Sequence, residues 1–134
     1  MKIAGMTLRA AGAVLAATAL LAPVSAQAPE LAMLDRLERG TWELRLRGDS
    51  SSRRICVRSG RELIQLRHRQ PGCDRFVVQD EPSEVTVQYT CRGNGYGRTT
   101  IRREGRDIVQ LRSQGIHGGA PFSIEGEARH VGSC

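Results

Sequence analysis

Four cysteines lying behind an export signal constrain this chain more than any other feature. The first residues carry Lys2 and Arg9, and Ala10–Ala22 is then a run of 13 residues made of Ala, Leu, Val, Gly and one Thr. A membrane span needs about 20 apolar residues, so this run is too short to remain in a bilayer. It ends at Pro23 and at Val24-Ser25-Ala26, a small-x-small cleavage pattern that leaves Gln27 as the new N-terminus. Residues 1–26 are therefore expected to be a signal peptide and residues 27–134 a single periplasmic or secreted domain, with no stable membrane anchor. In an oxidising compartment an even number of cysteines implies disulfides. Cys56, Cys73, Cys91 and Cys134 are spaced by 17, 18 and 43 residues, which matches neither a zinc pattern nor a C-x-x-C redox motif. No metal and no cofactor is expected.

The pattern of apolar residues predicts a mainly β fold. Pro29–Gly40 reads as a short N-terminal helix, with Leu31, Leu34 and Leu37 at helical spacing and Gly40 ending it. From Trp42 the period drops to two: Trp42, Leu44 and Leu46 alternate with Glu43, Arg45 and Arg47. Gly48–Ser52 is a turn and Arg53–Arg58 the returning strand. Ser59 with Glu62 three residues on is a capping box that would open a short helix, although Ile64-Gln65-Leu66-Arg67 also reads as strand.

Pro71-Gly72 marks the next turn, and Arg75–Gln79 and Glu84–Cys91 follow as two strands around Asp80–Ser83. Pairing Gln79 with Val85 sets Val77 opposite Val87 and Cys73 opposite Cys91. That register favours the disulfides Cys73–Cys91 and Cys56–Cys134 among the three possible connectivities. It also puts Phe76 and Val78 on the face opposite Val85, Val87 and Tyr89, which requires either two partly covered faces or a bulge. Arg92–Gly97 reads as a glycine-rich turn, and Thr99–Glu104, Asp107–Ile116 and Pro121–Val131 complete the sheet. Short strands separated by glycine turns predict an antiparallel meander, curled or closed into a small barrel so as to shorten its exposed edges.

Charge narrows the function classes. Removal of Lys2 and Arg9 leaves 18 basic side chains, all of them arginine, against 14 acids, a net charge near +4. Without lysine there is no Walker-type phosphate loop, Schiff-base catalysis or Ser–Lys dyad. There is no G-x-S-x-G, the acids are scattered, and two disulfides would leave no nucleophilic thiol. Gly93-x-Gly95-x-Gly97 lacks the βαβ context of a phosphate loop. His68, His117 and His130 are far apart in sequence and read as surface or hairpin residues. An enzyme is not expected.

Two arginine clusters remain: Arg61, Arg67, Arg69 and Arg75 around His68, and Arg98, Arg102, Arg103 and Arg106. The planar guanidinium fork suits phosphate, sulfate and carboxylate. The first cluster is the candidate anion-binding site; the competing reading is a GC-rich genome that uses arginine for surface charge. Five aromatic residues provide little stacking for nucleic acid, which export would in any case keep out of reach. Trp42, Phe76, Tyr89 and Phe122 are candidates to line a cup for an apolar ligand.

The order Gly40-Thr41-Trp42-Glu43, Ile55-Cys56-Val57, Cys73, Tyr89-Thr90-Cys91 and Gly132-Ser133-Cys134 resembles the family catalogued as domain of unknown function 3617, small exported proteins of Gram-negative bacteria. The resemblance implies a periplasmic β domain and supplies no catalytic residue. Taken together, the sequence leads to a non-enzymatic accessory or binding protein whose partner is an anionic envelope polymer or another periplasmic protein. A carrier of a small apolar ligand and an inhibitor of a secreted hydrolase are the alternatives.

Overall fold

A computed structural model describes residues 30–134. The expected signal peptide, its cleavage site and Pro29 lie outside the described residues. Seven strands form one antiparallel sheet: β1 Gly40–Leu46, β2 Ser52–Val57, β3 Asp74–Asp80, β4 Glu84–Cys91, β5 Gly95–Arg103, β6 Ile108–His117 and β7 Ala120–Gly132. The spatial order is β2-β1-β7-β6-β5-β4-β3, so β3 to β7 run as a meander and the β1–β2 hairpin joins on the far side of β7. β2 and β3 have one strand neighbour each, and the sheet is curled but not closed.

Alternation decides the two faces. Trp42 and Leu44 of β1, Val85, Val87 and Tyr89 of β4, Ile101 of β5, Val109 and Leu111 of β6 and Ala128 of β7 are buried on the inner face. Charged residues take the intervening positions, and Arg45 stands opposite Glu127 and Arg112 opposite Glu125. Trp42 is fully buried, and its indole N–H donates to the Glu38 carbonyl at 2.8 Å. A core of this kind is stabilised chiefly by removal of aliphatic and aromatic area from water.

One sheet cannot bury its own inner face, so two irregular segments cover it. The first contributes Leu31, Met33, Leu34 and Leu37, all buried. Its helix α1 is only Ala32–Asp35, much shorter than Pro29–Gly40. Leu31 takes a left-handed conformation (φ 61°), and its N–H is held by the Asp80 carboxylate at 2.9 Å, so the helix cannot extend backwards. The second covering segment is the β2–β3 connection, which contributes Leu63, Ile64, Leu66 and His68. It is neither the helix through Leu66 nor the strand. Glu62 accepts from the Ser59 N–H as a capping box does, but only one 3₁₀ turn, Arg61–Leu63, follows. Gly60 lets the two segments meet: at φ 79°, a Cβ there would lie 2.8 Å from Cβ of Leu34.

The disulfides are Cys56–Cys134 and Cys73–Cys91, as the strand register favours. Val77 is indeed opposite Val87, but Gln79 pairs with Thr86 rather than Val85, because a bulge intervenes between Val77 and Gln79. Phe76 and Val78 stay on the outer face, 70% and 41% exposed. Only the first half of the glycine-rich stretch is turn, since β5 begins at Gly95 and Gly97 pairs with both Tyr89 and Gly115. A Cβ on Gly97 would fall 2.3 Å from the Tyr89 hydroxyl, so the tyrosine ring lies directly across the bare backbone of β5.

Candidate functional site

The gap between the two sheet edges is the site. Arg54, Ile55 and Cys56 of β2 face Cys73, just before β3, and Arg75 within it, with Gln65, Leu66 and residues 68–72 of the connection between them, around a cavity of about 710 Å³. That volume lies within the usual range of small-molecule sites. Both half-cystines in its wall are tied back into the sheet, Cys56 to Cys134 and Cys73 to Cys91, so each bank of the seam is covalently fixed.

Of the predicted anion-binding residues, Arg61, Arg69 and Arg75 line this cavity, and Arg54, which sequence reasoning did not single out, joins them. Arg67 is outside the lining; its charge, with that of Arg69, acts on Arg53. Arg61 is a clamp rather than a free group: its guanidinium pairs with Asp35 at 2.7 Å and donates to the Ser59 and Glu30 carbonyls. Arg75 donates through Nε to the Gln65 side chain at 2.7 Å, which fixes the fork and leaves its terminal amino groups unpaired among the described residues. The side chains of Arg54 and Arg69 form no ion pair or hydrogen bond among the described residues.

Among the described residues Glu62 is the one carboxylate in the lining, and its hydrogen bonds go to the Arg58–Ser59 segment, although its charge still acts on Arg75. It accepts from the backbone N–H groups of Arg58 and Ser59 and from the Ser59 hydroxyl. Burial raises its pKa, but these hydrogen bonds outweigh burial and hold it below the ordinary carboxylate value. The guanidinium of Arg53 is pulled below its usual value by burial first and then by Arg69 and Arg67, and that of Arg75 by burial and then by Arg61, against the opposing charge of Glu62. Arginine does not deprotonate under these conditions. The shifts record chiefly the burial of these side chains, with like charges adding to it and Glu62 partly offsetting it at Arg75.

The predicted apolar cup does not form. Trp42 and Tyr89 are packed into the core, and Phe122 lies on the inner face with its ring 5.7 Å from that of His68. Phe76 points to the opposite side of the sheet because it pairs with Gln88, an outer-face residue.

His68 and His117 are not separate surface groups. Their rings are 4.9 Å apart, and His68 is fully buried at the inner end of the seam. Its Nε2 lies 2.9 Å from the Asn94 carbonyl and must donate to it, so in the neutral ring Nδ1 accepts from the Tyr89 hydroxyl at 3.0 Å. Burial raises the Tyr89 pKa, offset in part by the Ser113 hydroxyl. Thr99 donates to the Ile64 carbonyl at 2.6 Å and meets Ser113 at 2.7 Å, which anchors the connection to the sheet. These are satisfied structural bonds; no buried side-chain polar atom is left unpartnered among the described residues.

The second arginine cluster is dispersed: Arg102 pairs with Glu104 and Arg106 with Glu38, while Arg103 donates to the Pro82 carbonyl. Among the described residues no group of His, Cys, Asp and Glu is placed to hold a metal ion, and no helix is long and apolar enough to cross a membrane. Comparison with protein-family models, with curated proteins and with solved structures gave no match.

Proposed function

We propose that the protein is a non-enzymatic accessory protein of the periplasm that binds an anionic envelope component in the seam between β2 and β3. One observation carries this reading: four arginines line one cavity in which, among the described residues, the only carboxylate, Glu62, is hydrogen-bonded to the backbone. Export is supported by the charged-then-apolar N-terminal segment and by two disulfides, and it agrees with the resemblance to the small exported proteins of domain of unknown function 3617. The arrangement has the parts of a receptor for phosphate, sulfate or carboxylate: one fork held in place by Gln65, two further guanidiniums free to close on it, and fixed banks on both sides.

The test is retention of the mature protein on an immobilised anionic polysaccharide or lipopolysaccharide. Retention is expected to fall steeply with salt and to fall again when Arg69 and Arg75 are replaced by Ala. Elution near the void volume at low salt, or retention untouched by both replacements, would sink the reading.

A further inference from the structure

The wall of the seam divides by chemistry. Its covered members include aliphatic and sulfur groups: Leu66 is 5% exposed, and Ile55 and Cys73 are half-buried against the core. Beside them stand half-buried Gln65 and Gln70 and the buried His68, whose two ring nitrogens are both taken up by Tyr89 and Asn94. Its exposed members include Arg54, Arg69 and Arg75. The cavity therefore has aliphatic carbon and disulfide sulfur among its covered residues and a rim of guanidinium. Among the described residues no Trp, Tyr or Phe lines it. The two most exposed aromatics, Phe76 and Tyr96, stand on outer-face positions of β3 and β5 instead. A sugar ring, which is held by stacking its C–H face on an aromatic plane, finds no platform in the seam. An alkyl chain finds aliphatic carbon and polarisable sulfur.

We infer that the ligand of the seam is an anionic amphiphile: an acyl chain that ends in a carboxylate or phosphate. The chain lies on Ile55, Leu66 and the two half-cystines, and Arg69 and Arg75 grip the head group with Arg54 at the rim. This rests on the anion-binding reading of the same cavity and goes further by naming what the anion is attached to. A bare polysaccharide would use the rim and leave the aliphatic and sulfur groups wet, whereas an amphiphile uses both.

The experiment is a titration of the isotope-labelled mature protein with acetate, octanoate, decanoate and dodecanoate below their micellar concentrations, followed by amide and methyl resonances. Monododecyl phosphate and a heparin fragment are run in parallel. Each added methylene is expected to tighten binding about two- to fourfold, so dodecanoate should bind at least roughly tenfold more tightly than octanoate, with shifts at Ile55 and Leu66. Ile55→Gln should flatten this chain-length dependence while leaving the heparin fragment bound. Arg69→Ala with Arg75→Ala should weaken every anion. Whichever of dodecanoate and monododecyl phosphate binds more tightly distinguishes a free fatty acid from a phosphorylated lipid. Binding of the heparin fragment at the seam without chain-length dependence overturns the amphiphile and leaves the anion reading standing. Chain-length dependence that ignores the arginine replacements also overturns it. If no anion perturbs the seam, both readings fall together.

Discussion

The arginines of this protein work in two settings. On the outer face Arg45 pairs with Glu43, Arg47 and Arg112 share Glu125, and Arg129 pairs with Glu127. The strand register sets opposite charges side by side there, and each exposed pair is worth about 0–1 kcal/mol. In the seam, Arg54, Arg69 and Arg75 are brought near Arg53, Arg61 and Arg67, and the nearest carboxylates are committed elsewhere. A genome that prefers arginine explains the first setting, where the side chains solvate and pair. It does not explain the second, where like charges stand beside aliphatic carbon and disulfide sulfur. Placement, and not abundance, separates a surface from a site.

The most disruptive way to test the contrast is to cut the staples. Replacing Cys56 and Cys134 by Ala removes a link across 78 residues and is expected to cost about 4 kcal/mol; replacing Cys73 and Cys91, 18 residues apart, about 3 kcal/mol. Urea unfolding of the two variants checks this, and an unchanged midpoint in either would mean that packing alone fixes that bank. Next is the floor beneath the aromatic cluster. Gly97→Ala drives a methyl group into Tyr89 and should destabilise by about 1–3 kcal/mol without altering anion binding.

A smaller effect separates the two arginine sets directly. Arg69→Ala with Arg75→Ala should lower anion affinity about tenfold and leave stability level or slightly raised, because repulsion is relieved. Arg45→Ala with Arg112→Ala should change affinity less than about twofold and cost no more than about 1 kcal/mol. Equal losses of affinity in both pairs would show that net charge, and not the seam, attracts the ligand.

The smallest effect is in acid. Hydrogen bonds hold Glu62 below its ordinary value against the opposing effect of burial, and the hydrogen bond from Arg61 does the same for Asp35. A lowered carboxylate contributes stability that is complete above its unfolded pKa of about 4 and is lost as pH falls through the folded one. Glu62→Gln should therefore flatten the decline in stability below about pH 5. An acid limb as steep as the parent's would place the linkage elsewhere.

Much of this fold can be read from the sequence where the signal is local. Trp42, Leu44 and Leu46 alternate, and burial follows them. The count from Cys73 to Cys91 around the Asp80–Ser83 turn returns a cross-strand bond. The bulge after Val77 has no such local signal, because two apolar residues on the outer face fit a bulge and two partly covered faces equally well. The glycine-rich stretch misled for a physical reason. Gly97 is in a strand to make room for the Tyr89 ring, and a glycine needed for close approach looks the same in sequence as one needed for a turn. Half of the site was legible as an arginine cluster at 61–75. Arg54 was not, because the curl of the sheet brings it across from Arg75, and that closure is a property of all seven strands. Burial of His68 has no local signal either, since its partners Tyr89 and Asn94 are 21 and 26 residues away.

The two disulfides are nested: Cys73–Cys91 lies inside the span of Cys56–Cys134. A chain that enters an oxidising compartment N-terminus first presents Cys56 before either member of the inner pair. Its proper partner is 78 residues behind, on the order of ten seconds at ordinary rates of synthesis. During that interval the first thiol meets Cys73 and Cys91, and any bond made then has to be exchanged before β7 can deliver Cys134. Yield in the cell should accordingly depend on a disulfide isomerase as well as on an oxidant, a demand that two consecutive pairs would not impose.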